Sequence, residues 1–176
     1  RLASKEPQDQ LFLDCAVSRR SDTAFSEMDG LDHLEGKSIC LLADGSPLEG
    51  MTVQDGKIQL PRPMKCVHAG LPYEAELQTL PAVVEYADGT SLDRRRRVVS
   101  VTVKMLDSRG GKVGTDESQL DEIIQRSNEN FNEPIALKTG DYVLTLSGTH
   151  SLAPSVIFRQ TEPLPVTLLA FICRIV

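Results

Sequence analysis

The chain has 176 residues, of which 40% are hydrophobic and 25% charged, with a formal net charge of −6. That is a globular composition, long enough for one domain or two small ones, and its negative balance excludes a broad attraction to phosphate or anionic lipid. Trp is absent and aromatics make up only 5%, so extended stacking platforms for bases or sugars are excluded too.

Four cysteines stand at positions 15, 40, 66 and 173, with no C-x-x-C pair and no Cys/His cluster of zinc type. Each lies among apolar residues, as in "LDCAV" and "SICLL". The reading is four buried free thiols in a reducing compartment, with no metal and no cofactor. No secretory leader opens the chain, and no apolar run reaches the ~18 residues of a membrane span, so no membrane partner is expected. The chain begins at Arg1, as a processed product or a piece of a longer protein would.

Along the chain the dominant period is two. Candidate strands occupy 10–17, 37–42, 50–53, 57–60 and 66–69, with prolines at 61, 63 and 72 closing them. Asp-Gly pairs at 29–30, 44–45, 55–56 and 88–89 supply the positive φ of tight hairpins. In "YEAELQTL" (73–80) Tyr73, Ala75 and Leu77 alternate with acids, as in a half-buried strand. A further strand is expected at 82–86. In "VVSVTVKM" (98–105) Val99, Val101, Val103 and Met105 share one face. The segment "DESQLDEIIQRS" (116–127) predicts the one short helix, with Asp116 as N-cap and Leu120, Ile123 and Ile124 at helical spacing. It lies inside a long polar connection, 108–133. "DYVLTLS" (141–147) alternates through Tyr142, Leu144 and Leu146, and 155–160 is another candidate strand. The last stretch, "LPVTLLAFICRIV" (164–176), is apolar on both faces, so it is either a central strand or an edge awaiting a partner chain. The expected fold is all-β. A small barrel-like module spans 33–80, and an antiparallel β-sandwich draws on 1–32 and 81–176.

Chemistry-bearing patterns are sparse. Arg94, Arg95, Arg96 and Arg97 precede a valine-rich strand and alternate in direction on an extended backbone. Asp93, Asp88, Glu85 and Asp107 dilute their field, so sequence-specific nucleic-acid binding is not expected. Cys66 and His68 share a strand face, but the sequence shows no third orienting group for nucleophilic chemistry. "SRGGKVG" (108–114) lacks the Gly-Lys-Ser/Thr signature of a phosphate loop and reads as a flexible loop that ends a strand. The acid pairs Glu74/Glu76 and Asp121/Glu122 read as solvated faces. No catalytic residue, cofactor-binding residue or metal ligand is assigned, and the chain is expected to be no enzyme.

Three stretches in order carry a resemblance: "GLDHLEGKSICLLADG" (30–45), "KIQLPRPMKCVHAGLPYEAELQTLP" (57–81) and "RRRRVVSVTVKMLDSRGGKVG" (94–114). The chain resembles, over about residues 9–115, a segment of the tail proteins of short-tailed bacteriophages and prophages, the tail tubular or nozzle proteins. The elements are Leu34-Glu35-Gly36-Lys37, Ala43-Asp44-Gly45, the run Val67 to Tyr73, and the basic entry into Val98–Val103. The final strands fit more loosely, and the connection at 115–138 is particular to this chain. Family members are usually far longer, so the resemblance implies an excised part.

The resemblance further implies a virion tail component assembled in the host bacterial cytoplasm. It would act by self-association and by contact with other tail proteins, with Arg94, Arg95, Arg96 and Arg97 bridging to acids on a neighbouring subunit. The alternative is a carbohydrate- or receptor-binding β module at the tail tip. That module would need an exposed aromatic cluster, for which Phe25, Tyr73, Tyr86, Phe131 and Tyr142 are the candidates.

Overall fold

The computed structural model describes residues 12–83, 85–86, 89–90, 94–125 and 136–176. Among them there are β-strands and one 3-10 turn, Asp32–Leu34, and no α-helix. The fold is all-β, as the period of two requires. Two compact units divide the described residues: 12–73 with 136–137 and 161–165, and 74–125 with 138–160 and 166–176.

The first unit is an antiparallel sheet of β1 (Asp14–Met28), β2 (Ser38–Ala43), β3 (Ser46–Thr52) and β4 (Ile58–Leu71), in the order β1-β4-β2-β3. Two of its three Asp-Gly pairs make the expected hairpins, whereas 29–30 leads from β1 into the 3-10 turn with positive φ at Gly30 alone. Asp44 and Gly45 sit at φ 47° and 77° between β2 and β3, and Asp55 and Gly56 at φ 53° and 68° between β3 and β4. Both are two-residue hairpins with positive φ at both central positions, the geometry that matches strand twist. The 88–89 pair involves Asp88, which lies outside the described residues. Leu34, Ile39, Leu41, Val53, Met64 and Val67 form the centre of this unit's core.

Three expectations for this unit change. The N-terminal strand, expected in the sandwich, pairs with β4 from Asp14↔Leu71 to Met28↔Ile58. Its apolar residues Val17 and Phe25 pack on this core, so it belongs here. Nor do the prolines at 61 and 63 break the strand, because β4 runs through them. Between Glu27↔Gln59 and Phe25↔Met64 the ladder is irregular, and both prolines fall in that gap, where no N–H is required. Closure of the sheet into a barrel is not seen among the described residues: β1 and β3 end the strand order.

In the second unit β8 (Val98–Ser108) lies between β11 (Lys138–Thr145) and β13 (Leu168–Ile175). A second sheet runs β10 (Gln119–Glu122), β9 (Lys112–Asp116), β12 (Ile157–Gln160), β5 (Ala75–Gln78). β6 (Glu85–Tyr86) and β7 (Gly89–Thr90) form a small hairpin. Val101, Val103 and Met105 of β8 share one core with Val113 of β9 and Phe158 of β12. The Phe158 and Phe171 rings meet at 6.3 Å across it. Two antiparallel sheets enclosing one core make a sandwich.

The helix expected at 116–127 is absent from the described part of that segment: Gln119–Glu122 is β10, hairpinned on β9. Asp116 does cap, but it caps a turn. Its Oδ1 accepts from the Ser118 backbone N–H at 2.9 Å. The side chain of an N-cap and that of an Asx turn reach the same backbone donor, so the sequence signal serves both. Ile123 is buried, whereas Ile124 is exposed. β5 also departs from expectation, being exposed along its whole length as the edge next to β12, with Leu77 in solvent. Arg159 fastens it, donating from Nε to Glu76 at 2.8 Å.

Candidate subunit interface

Of the two readings left by its two-faced sequence, β13 is an edge strand among the described residues. Leu168, Phe171, Cys173 and Ile175 turn inward onto the sandwich core. On the opposite face of β11-β8-β13, register places Val143, Thr102 and Ile172 in one row. Val143 is 71% exposed and Ile172 56%, with Leu169 at 60% and Leu106 at 41% nearby. The next row holds Asp141 and Lys104, an ion pair at 3.1 Å. An apolar, unpaired edge strand is a template for another strand, and proteins ordinarily blunt or cover such edges. Among β13 residues the only charge is Arg174. Burying the exposed remainder of the four apolar side chains would contribute on the order of 5 kcal/mol. Association costs about 4–15 kcal/mol, so this surface alone supports weak contact and needs a larger rim for tight contact.

The arginine block enters β8 beside this strand. The Arg97 backbone N–H donates to Val176 at 2.9 Å, and that of Val176 returns a bond at 3.0 Å. Arg94, Arg95 and Arg97 are exposed. Arg96 is 2% exposed, and its guanidinium donates to the carbonyls of Arg94, Ala82 and Leu152. An interface role for the Arg96 side chain is therefore corrected: it is buried, and each of its three guanidinium nitrogens bonds to a carbonyl of its own unit. Sequence alternation alone does not mark it, since burial depends on loops brought from residues 82 and 152.

The family-like motifs act on backbone. Leu34 is core, Gly36 takes φ 70°, and Glu35 accepts from the N–H groups of Asp55 at 3.1 Å and Gly56 at 2.8 Å. Asp44 accepts from the Lys65 and Cys66 N–H groups at 3.1 and 2.8 Å. These carboxylates fasten hairpins, and such charge-assisted bonds are stronger than neutral ones.

The remaining chemical candidates are packing groups as well. Cys66 Sγ lies 3.7 Å from His68 Nε2, and Ser18 Oγ lies 2.6 Å from His68 Nδ1. The third partner missing from the sequence pattern is thus a hydroxyl from β1. It orients the ring but lacks the charge that stabilises an imidazolium. Cys66 and His68 are buried, at 6% and 9% exposure. Burial, with Glu49 nearby, pushes the Cys40 thiol up to about 11, and burial raises Cys173 as well, so neither favours a thiolate. Cys15 is exposed and Cys173 only half-buried, which corrects the expectation of four buried thiols. His33 is tied by its Nε2 to the Cys15 carbonyl at 2.8 Å. Among the described residues no group of three His, Cys, Asp or Glu side chains could hold a metal ion, and no helix is long and apolar enough to cross a membrane. "SRGG" is no open loop: Ser108 and Arg109 are buried, and Arg109 donates to the Gln125 carbonyl at 3.1 Å.

Phe25 packs on the first core beneath Arg19, Tyr142 packs on the second, and Tyr73 is exposed. Phe131 and the Tyr86 side chain lie outside what the structure describes. The chain matches no protein-family model and no curated protein sequence.

Proposed function

We propose that the chain is a non-enzymatic structural component of a phage or prophage tail, a nozzle- or tail-tube-type segment acting through contacts between subunits. The observation that carries this reading is the apolar edge strand β13, with its Ile172 and, on the same face of the sheet, Val143 of β11 standing in solvent. A ring of identical subunits repeats one contact by rotation, and a strand edge with an apolar face is suited to that repetition. The motif carboxylates Glu35 and Asp44 support the same reading, since they stiffen hairpins and present no reactive group. In this reading Arg94, Arg95 and Arg97 meet acids of a neighbouring subunit or tail protein, and nucleic acid passes without sequence-specific contact.

Labelling of phage particles tests the location. Antibodies raised against the chain should decorate tails in lysates of the strain that carries it. Label confined to free protein, with tails bare, counts against a virion role.

A further inference from the structure

The second unit carries a cleft of about 410 Å³ next to one of about 300 Å³. The two share Thr115, Ser118, Gln119 and Ser147 and so form a continuous groove between the β9–β10 hairpin and the connection after β11. Its size falls in the ~300–1,000 Å³ range of small-molecule sites, but its lining is unusual for them. Thr149, Ser151 and Ser155 add hydroxyls, and Asp116 and Asp121 add a carboxylate at each part. Among the described residues Lys and Arg are absent from the lining, and the apolar contribution is Val98, Ala153 and Pro154 in one part and Leu120 and Leu146 in the other.

Part of this polar set is already engaged. Ser151 Oγ accepts from Ala153 N–H at 3.1 Å, Ser155 Oγ from Gln78 Nε2 at 3.0 Å, and Asp116 Oδ1 from Ser118. Thr115, Gln119, Ser147 and Thr149 spend no side-chain hydrogen bond on another described residue, and Asp116 keeps its second oxygen. Among its described lining residues the groove therefore offers both donors and acceptors, closely spaced, with negative and no positive charge.

That inventory selects by elimination. Phosphate, sulfate esters and nucleic acid would meet two carboxylates and, among the described residues, no cation. A lipid or flat aromatic ligand would find too little apolar wall. A divalent cation needs several converging oxygens, and no such cluster of acids exists among the described residues. A neutral sugar presents alternating hydroxyl donors and acceptors, and adjacent hydroxyls can donate together to a carboxylate. We propose that this groove binds a neutral oligosaccharide. Without an aromatic platform each site binds weakly, and several copies held together would bind by avidity. The inference rests on the second unit alone and stands or falls independently of the tail reading.

Amide-resolved NMR titration of the whole chain tests it, with tetrasaccharides of glucose, mannose, galactose and N-acetylglucosamine at millimolar concentration, and inorganic phosphate as the anionic probe. At least one saccharide should give saturable shifts confined to residues 115–121 and 147–155, and phosphate none there. Gln119→Ala and Thr149→Ala, both at exposed positions, should keep a folded spectrum and weaken that binding by about tenfold. Failure of all four saccharides to shift these amides overturns the proposal. So does saturation at another surface, a matching response to phosphate, or unchanged affinity in both variants.

Discussion

Arg96 Nη2 donates to the Leu152 carbonyl at 2.9 Å, joining residues 56 apart in sequence. The neighbouring backbones close the same link, with Arg96 N–H to Ser151 O and Ser151 N–H to Arg96 O, both at 2.8 Å. One side chain from a run of four thus fastens the entry of β8 to the connection that precedes β12. Arg96→Met should destabilise the chain by about 2–3 kcal/mol, since partly buried carbonyls lose their donor. Arg96→Lys should recover only part of that, because an ammonium cannot fork to several oxygens. Arg95→Ala should stay within about 0.5 kcal/mol of the parent. Urea midpoints at constant slope distinguish the three.

The Asp44 carboxylate holds two N–H groups of β4 while its own backbone sits at φ 47°. Asp44→Ala loses both the acceptor and a side chain tolerant of that conformation, at a cost of about 1–3 kcal/mol. Asp44→Asn keeps an acceptor oxygen and the conformational tolerance and should lose distinctly less. Thermal unfolding of the pair reads the difference.

Cys40 is 1% exposed, and its thiol is pushed up to about 11 from 9.0. Between those values the unfolded chain releases the proton and the folded chain keeps it. This contribution to stability is fully present below pH 9.0 and is lost as pH rises through about 11. Unfolding free energy measured across that window should fall more steeply for the parent than for Cys40→Ala, by on the order of 2 kcal/mol overall. Parallel slopes would contradict a buried neutral thiol.

How much of this was legible before the structure follows from the range of each interaction. β8 was legible because Val101, Val103 and Met105 obey the pleat and are buried. The hairpins at 44–45 and 55–56 were legible because Asp-Gly chemistry is local. By contrast, β4 crosses Pro61 and Pro63 only because β1 leaves its ladder open there, a fact held by another strand. The helix reading at 116–127 failed because Asp116 gives one signal for two local structures, and pairing with β9 chose between them. Arg96 was hidden for the same reason: its acceptors come from distant loops. The groove of Thr115, Gln119 and Ser147 is assembled from two such segments and has no contiguous motif.

Sedimentation velocity of the chain over a concentration series, beside Ile172→Lys, tests the proposed subunit contact most directly. Ile172 is 56% exposed and faces away from the core, so the variant should keep the parent's fold by circular dichroism. The account predicts that the parent assembles as concentration rises and that the added charge shifts assembly at least tenfold higher, about 1.4 kcal/mol or more. A parent that stays monomeric throughout, or a variant that assembles equally well, would contradict it.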